Sequence, residues 1–439
     1  MKTYAVFSLL LALTSPLLAQ DPPSSAAPLS LGQVLDEALA HYPSIEAARA
    51  RIESARARTQ QTQASRLPQV NASASYHFID PLSYVDFPSE AGSIRVYEQT
   101  QNNYDVGLNL RQLVTDFGRT SALVAAARTG ELSTQDALEQ IRTEVGYQAI
   151  GYFYSVMLLE ESVSVADEEI HALQESLRIT EQRSQAGTAT HFDVLTTKVR
   201  LANAENRRTD IVASLQRQEA RLRQVLGRQD VLNVSLQGGF PAGANTPARE
   251  TLVTEAFAQR PDLLAARHAE LIREQQLSAA DRGDRPTVNA TLAAGARDGY
   301  APSLNAAKAY VDAGLALNVP LFTGHRIEGE KREAHAELRA AHERVLESQR
   351  IVVAEIDTAL ADVVASSARL QNADTLVAQA QEALNLAGSR YERGVITNFE
   401  LLDAQSAARA AELSRIQARY DRVLADEALA RATGRKPTA

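Results

Sequence analysis

The side chains that most often carry chemistry are few in this sequence and badly placed for it. The 439 residues include eight histidines and no cysteine. His41, His77, His171, His191, His268, His325, His335 and His342 form no tight ligand cluster. His335 and His342 lie seven apart on one helical face, and two imidazoles alone read as surface residues. Without Cys there is no disulfide, thiolate metal site, thiol nucleophile or lipidated N-terminal Cys. No Ser/His/Asp order, Gly-rich phosphate loop or Walker motif is present, so the sequence points away from an enzyme, and any energy must come from a partner.

Composition describes the elements instead. Hydrophobic residues make up 45% of the chain, but aromatics only 5%, with no Trp. Globular cores draw much of their buried area from aromatics. Apolar content spread along Ala, Leu and Val suits long, narrowly packed helices better than several thick cores. The formal net charge of −9 provides no electrostatic footprint for nucleic acid.

Residues 1–19 carry one positive charge, Lys2, followed by a run from Ala5 to Leu13 that is apolar except for Ser8. Thr14-Ser15-Pro16 and Leu17-Leu18-Ala19 follow. This is the pattern of a secretory signal peptide cleaved near Ala19, too short to span about 30 Å of hydrocarbon as a helix. Residues 20–30 read as a linker. No later segment approaches about 18 consecutive apolar residues, so a mature chain that crosses a membrane must do so as β-strands.

The chain is a tandem duplication. Arg66-Leu67-Pro68-Gln69-Val70-Asn71-Ala72 recurs as Asp284-Arg285-Pro286-Thr287-Val288-Asn289-Ala290, displaced by 218 (286 − 68). Further on the displacement is 207 and stays there: Leu108 matches Leu315, Gly187 matches Gly394, Phe192 matches Phe399 and Gly227 matches Gly434. The first copy, 31–227, is therefore 11 residues longer than the second, 249–434, between Ala72 and Leu108. Residues 228–248 read as the inter-repeat linker and 435–439 as a tail.

Each copy predicts a short helix ending at a proline (Pro43, Pro261), a second helix starting there, and then two strands. The strands are expected over about 69–79 and 103–113, and about 287–297 and 309–319. In the first copy Val70, Ala72, Ala74, Tyr76 and Phe78 alternate with polar or small residues, as do Tyr104, Val106, Leu108 and Leu110. The extra residues fall in the connection Asp80–Asn102, against Asp298–Ala309. Both connections are expected at one exposed end, where insertions are tolerated.

None of the 15 prolines lies within 89–240 or within 321–436. Helices are expected over about 117–184 and 323–390, each about 100 Å long at 1.5 Å per residue. A helix of that length needs coiled-coil neighbours. Gly187 and Gly394 end these helices as C-cap glycines do. A return helix of roughly 60 Å and a pre-strand helix of roughly 36 Å, stacked end to end, match the long one.

Four strands do not close a membrane barrel, which needs about eight or more. Two copies supply eight, a number that side chains fill. Three supply twelve, so a trimer is the smallest assembly expected to leave an open lumen, and larger ones also satisfy the count.

With these features the sequence resembles the TolC-like outer membrane efflux protein (outer membrane factor) family. The most specific segments are 390–405, RYERGVITNFELLDAQ, its counterpart Arg183-Ser184-Gln185-Ala186-Gly187-Thr188, and 317–324, LNVPLFTG. The resemblance implies a mainly α fold with a small β part: a duplicated long-helix coiled-coil barrel joined to a 12-stranded transmembrane β-barrel formed by three chains. It also implies a homotrimeric export duct in outer membrane lipid, extending into the periplasm, with no cofactor and no nucleic-acid partner. Such a duct serves a tripartite efflux pump or type I secretion system. Its partners are a periplasmic adaptor (membrane fusion protein) and an inner-membrane transporter of RND or ABC type.

The resemblance also places sites. The acidic ring of the periplasmic aperture falls on Glu400 and Asp403, at i and i+3 on one helix face. The pair that constrains the aperture falls on Asp193 and Tyr391. The family's latch also uses an Arg two residues after the glycine, and here that position is Ile396. Adaptor docking falls on the helix turns Ala186, Gly187, Thr188 and Arg393, Gly394, Val395. At the strand end Tyr76, Phe78, Tyr84, Phe87, Tyr97 and Tyr104 are candidates for an interfacial girdle. The competing reading, a soluble periplasmic coiled-coil scaffold or adaptor, accounts for the helices but not for the alternating strands.

Overall fold

The computed structural model of the protein describes residues 28–438 except 91, 229–235, 242, 244, 245, 302 and 303. The expected signal peptide, most of the 20–30 linker and part of the 228–248 linker lie outside the described residues.

The first repeat begins with α1 (Leu31–His41), capped by a reciprocal Ser30–Gln33 capping box, and α2 (Pro43–Ala64), whose proline opens the helix. Tyr42 between them is extended, as the residue before a proline prefers. Next come β1 (Gln69–Phe78), β2 (Tyr84–Ser89), β3 (Gly92–Tyr97) and β4 (Gln99–Thr115). Then α3 (Arg119–Gln185) runs for 67 residues and α4 (His191–Leu226) returns. The second repeat follows the same plan: α5 (Arg249–Gln259), α6 (Pro261–Ala280), β5 (Thr287–Tyr300), β6 (Lys308–Asn318), α7 (Arg326–Glu392) and α8 (Asn398–Ala432).

One element departs from the expected loop. The connection 80–102 carries a hairpin of its own, β2 against β3, with Tyr84 opposite Tyr97 and Phe87 opposite Ile94. The Asp86–Arg95 ion pair crosses it, and the Arg95 guanidinium lies 3.7 Å from the centroid of Tyr84. The insertion thus folds by cross-strand pairing.

The other four strands form one antiparallel sheet in the order β1-β4-β5-β6, so the two repeats meet between β4 and β5. α3 packs along α2 and α4, and α7 along α6 and α8, while α3 also touches α6 and α8 of the other repeat. The short helices do meet end to end. A Cβ on Gly227, at the end of α4, would touch His41, and one on Gly434, after α8, would come within 2.9 Å of the Arg260 backbone. Gly434 also has φ +78°, so both its conformation and its surroundings require glycine.

The main apolar clusters lie at those junctions. Val34, Ile45, Ile150, Phe153, Leu222 and Leu226 pack where α4 meets α1 and α2. Leu252, Val352, Ile356 and Leu429 do so where α8 meets α5 and α6. The inter-repeat segment is drawn onto the first cluster: Phe240 stacks on Tyr154, and Gln237 N–H donates to Leu29 O. Stability should therefore concentrate here. Leu222→Ala, at a fully buried position, is expected to lower unfolding free energy by about 2–5 kcal/mol. Leu195→Ala, half exposed on the same helix, is expected to change it by less than about 1 kcal/mol; urea titration of both variants checks the contrast.

Candidate functional site at the two ends of the long helices

The two turns that join the long helices to their return helices are built alike. Thr188 N–H donates to Arg183 O (2.8 Å) and Gly187 N–H to Ser184 O (3.0 Å). Val395 N–H donates to Arg390 O (2.9 Å) and Gly394 N–H to Tyr391 O (3.0 Å). This paired closure needs a left-handed residue, supplied by Gly187 (φ +77°) and Gly394 (φ +71°). A Cβ on either glycine would meet nothing within 4 Å, so the glycines are there for their backbone and the turns stand open. Ala186, Thr188, Arg393 and Val395 beside them are exposed, Val395 by 70%.

Both return helices then start with a capping box. Thr190 caps α4: its hydroxyl accepts from Asp193 N–H, while Asp193 Oδ2 accepts from Thr190 N–H (3.0 Å) and Oγ1 (2.7 Å). Thr397 caps α8 with Glu400 in the same role; Glu400 Oε2 accepts from Thr397 N–H (2.7 Å) and Oγ1 (2.9 Å). Asp193 and Glu400 are thus equivalent residues of the two repeats. The two donors from Thr397 hold the Glu400 carboxyl below its usual range, so it keeps its charge in more acidic solution than an ordinary glutamate. Asp403 is exposed one turn further along the same face.

The structure brings Glu400 and Asp403 together but treats Asp193 and Tyr391 differently. Among the described residues no hydrogen bond joins Asp193 to Tyr391. Asp193 Oδ2 is taken up by its own capping box, and the Tyr391 ring lies under the Arg183 guanidinium, 4.5 Å from its centroid. The contact between the repeats here is instead made by residues the sequence reading missed. Asn398 Nδ2 donates to Thr197 Oγ1 (3.1 Å), and Thr197 Oγ1 donates to Asp193 O (2.9 Å). Arg200 Nη1 donates to Leu402 O (3.2 Å) and to Ser406 Oγ (2.9 Å), with its guanidinium 5.4 Å from the centroid of Phe399. The available signal was spacing: Val194, Thr197, Arg200 and Ala204 recur at three and four along α4, on the side that faces the other repeat.

At the opposite end, strand register sorts the sheet into two faces. Val70, Leu110, Leu292 and Ala313 stand in one transverse row, Ala72, Leu108, Ala294 and Val311 in the next, and Ala74, Val106, Ala296 and Ala309 in the third. The intervening rows face the other way and are polar or small apart from Tyr310: Asn71, Asn109, Ala293, Asp312, then Ser73, Gly107, Gly295, Tyr310, then Ser75, Asp105, Arg297, Lys308. The apolar face is uncovered, with Val311 75% and Leu315 76% exposed. Among the described residues, β1 and β6 also have no strand on their outer sides. Among the described residues no helix is long and apolar enough to cross a membrane. This sheet face is where the chain can meet lipid.

The profile of the outer membrane efflux protein family matches residues 34–228 and 252–435, nearly all of both repeats. The chain belongs to this family. Among its relatives are the outer membrane efflux protein BepC of Brucella suis, 27% identical over 75% of this chain and 72% of BepC, and the cation efflux system protein CusC of Escherichia coli, 24% identical over 91% and 85%. The outer membrane protein VceC of Vibrio cholerae has the same fold, with a TM-score of 0.77 at 22% identity over 93% of this chain and 97% of that one. The protein is an efflux channel, not an enzyme, and resides in the outer membrane with its helices reaching into the periplasm.

Two expectations follow from this geometry. Leu315→Arg, on the apolar face, should lose about 2–4 kcal/mol at the bilayer midplane and sharply reduce folded protein in the outer membrane fraction. Ala316→Arg, on the opposite face, should not. Thr397→Ala removes a donor from Glu400, and NMR titration should find that carboxyl returned towards its usual range. In the native protein the folded-state value is the lower one. The stabilisation from this cap is therefore present above the ordinary carboxylate range and is lost as pH falls through the depressed value.

Proposed function

We propose that three copies of this chain close their sheets into a single 12-stranded barrel and their helices into one periplasmic tube, forming the exit duct of a tripartite efflux pump or type I secretion system. The observation that carries this reading is the four-stranded sheet, with one continuous apolar face and two outer edges that lack strand partners among the described residues. In hydrocarbon each backbone polar group needs a partner, so a spanning sheet must close on itself. One chain has too few strands to do so; three copies reach twelve, enough for a lumen. The polar rows then line that lumen and the apolar rows face outer membrane lipid.

At the periplasmic end, Glu400 and Asp403 from three copies bring six carboxylates to one mouth, an arrangement that attracts cations and is open to block by multivalent ones. The two donors from Thr397 let the Glu400 carboxylates keep their charge in more acidic solution than ordinary glutamates. Asp193 and Tyr391 lie at the same level and belong to the same constriction. The solvent-exposed turns Ala186-Gly187-Thr188 and Arg393-Gly394-Val395 are the docking points for a periplasmic adaptor, which connects the duct to an inner-membrane transporter of RND or ABC type. Exposed Phe192 and Val395 beside them offer apolar surface for that contact.

The purified protein in planar bilayers tests this reading. It should form discrete, cation-selective channels that a trivalent cation applied from the periplasmic side blocks. Glu400→Ala with Asp403→Ala should weaken selectivity and raise the blocking concentration at least tenfold. Unchanged selectivity and block would overturn the ring assignment, and absence of any channel would overturn the duct.

A further inference from the structure

The polar face of the sheet has a charge pattern of its own. Its rows carry Asp105, Arg111, Arg297, Lys308 and Asp312. Asp105, Arg297 and Lys308 share one row with Ser75, and that row closes the β5–β6 pairing at the end of the sheet away from the helices. On the apolar face Tyr76 and Tyr104 stand one residue further out, with ring centroids 5.1 Å apart, where an interfacial girdle belongs. In the duct this row therefore lies at the extracellular exit.

Arg297 and Lys308 are register partners on adjacent strands. Like charges directly opposite one another weaken a sheet, so this pair does not serve the sheet. Asp105, the register partner of Arg297 on its other side, does not neutralise it. Tyr310 lies across Gly107, where a Cβ would stand 3.0 Å from its hydroxyl, and donates to Asp105 Oδ1 (3.3 Å). The Arg297 guanidinium instead stands 5.5 Å and 5.8 Å from the ring centroids of Tyr310 and Tyr300. Aromatic faces hold a guanidinium in place and leave its N–H donors unspent. Among the described residues neither Arg297 nor Lys308 makes an ion pair or a side-chain hydrogen bond, and both are exposed. The next carboxylate on this face, Asp312, is roughly 13 Å along β6 from Lys308 at about 3.3 Å per residue.

We propose that Arg297 and Lys308 form an anion-binding ring at the extracellular exit of the lumen, which takes solutes bearing several phosphate or carboxylate groups. This rests on the duct reading above: with the polar rows lining the lumen, three copies bring six cations and only three carboxylates to one level. Rings of Arg and Lys select anions and phosphates in pores, and low-dielectric walls focus their field into the lumen. The guanidinium offers a planar fork for two phosphate oxygens, and the lysine a mobile point charge beside it. The duct then carries rings of opposite sign at its two mouths, carboxylates where cargo enters and cations where it leaves. A multivalent anion arriving from outside meets the basic ring first.

The native protein in planar bilayers, with inositol hexakisphosphate as the probe, tests this. Added on the extracellular side, the probe should block the current at a concentration at least tenfold lower than on the periplasmic side. Arg297→Gln with Lys308→Gln should raise the extracellular blocking concentration at least tenfold. Lys308→Gln alone, at the exposed start of β6, should raise it at least threefold. Neither change should move the block by a trivalent cation from the periplasmic side, and Glu400→Ala with Asp403→Ala should leave the anion block where it was. If native channels show Glu400- and Asp403-dependent cation block but ignore the probe, or if their anion block survives the double substitution, the inference fails and the duct reading stands. If the native protein forms no channel, both fail. If the double variant does not assemble, the single one decides, and an unchanged blocking concentration there sinks the inference.

Discussion

The outer edges of β1 and β6 impose the constraint on which the rest of the structure depends. A sheet edge presents a row of unpaired N–H and C=O groups, and in lipid water cannot satisfy them. This sheet couples that edge problem to an apolar face that none of the described residues covers. Neither feature suits a soluble monomer, and both are resolved by closing the sheet with further copies in a membrane. In the proposed assembly, closure of the sheets draws the helices that continue from β4 and β6 into one ring, so that barrel and tube are consequences of a single pairing requirement.

The helices meet a second requirement, of length. A 67-residue helix has little stability alone and must be supported along its whole span. The duplication supplies that support twice, by stacking a return helix on a pre-strand helix. The thickest apolar packing sits at the two stacking points, where Leu222 and Leu252 are fully buried. Away from these points the helices are joined by small residues and ion pairs, and towards the glycine turns by polar contacts.

Much of this was legible in the sequence because it is periodic. The register shift from 218 to 207 located the duplication, the absence of proline marked the long helices, and period-two alternation marked four strands. The hairpin in the insertion was not legible: Pro88 and Asp86 weaken the strand signal, and pairing with Ile94 and Arg95 supplies what propensity lacks. The start of β4 was hidden for a similar reason, since Gln99-Thr100-Gln101-Asn102-Asn103 is polar and is held by its neighbours in the sheet. At the turns, the carboxylates Glu400 and Asp403 could be placed by resemblance. Their local bonding, with Asp193 and Glu400 as matching cap residues, follows from Thr-x-x-acid spacing that both turns share. Arg200 shares a three-and-four spacing with Val194, Thr197 and Ala204 along α4, but its partners and those of Asn398 emerge only where α4 and α8 meet.

The central claim, that several copies of this chain close one barrel in the outer membrane, is tested most directly by fractionating the native host's envelope and measuring the mass of the detergent-extracted protein. The account predicts an outer-membrane species whose protein mass is three chains. A soluble periplasmic monomer would contradict it, because the open edges and the uncovered apolar face would then have to be stable in water.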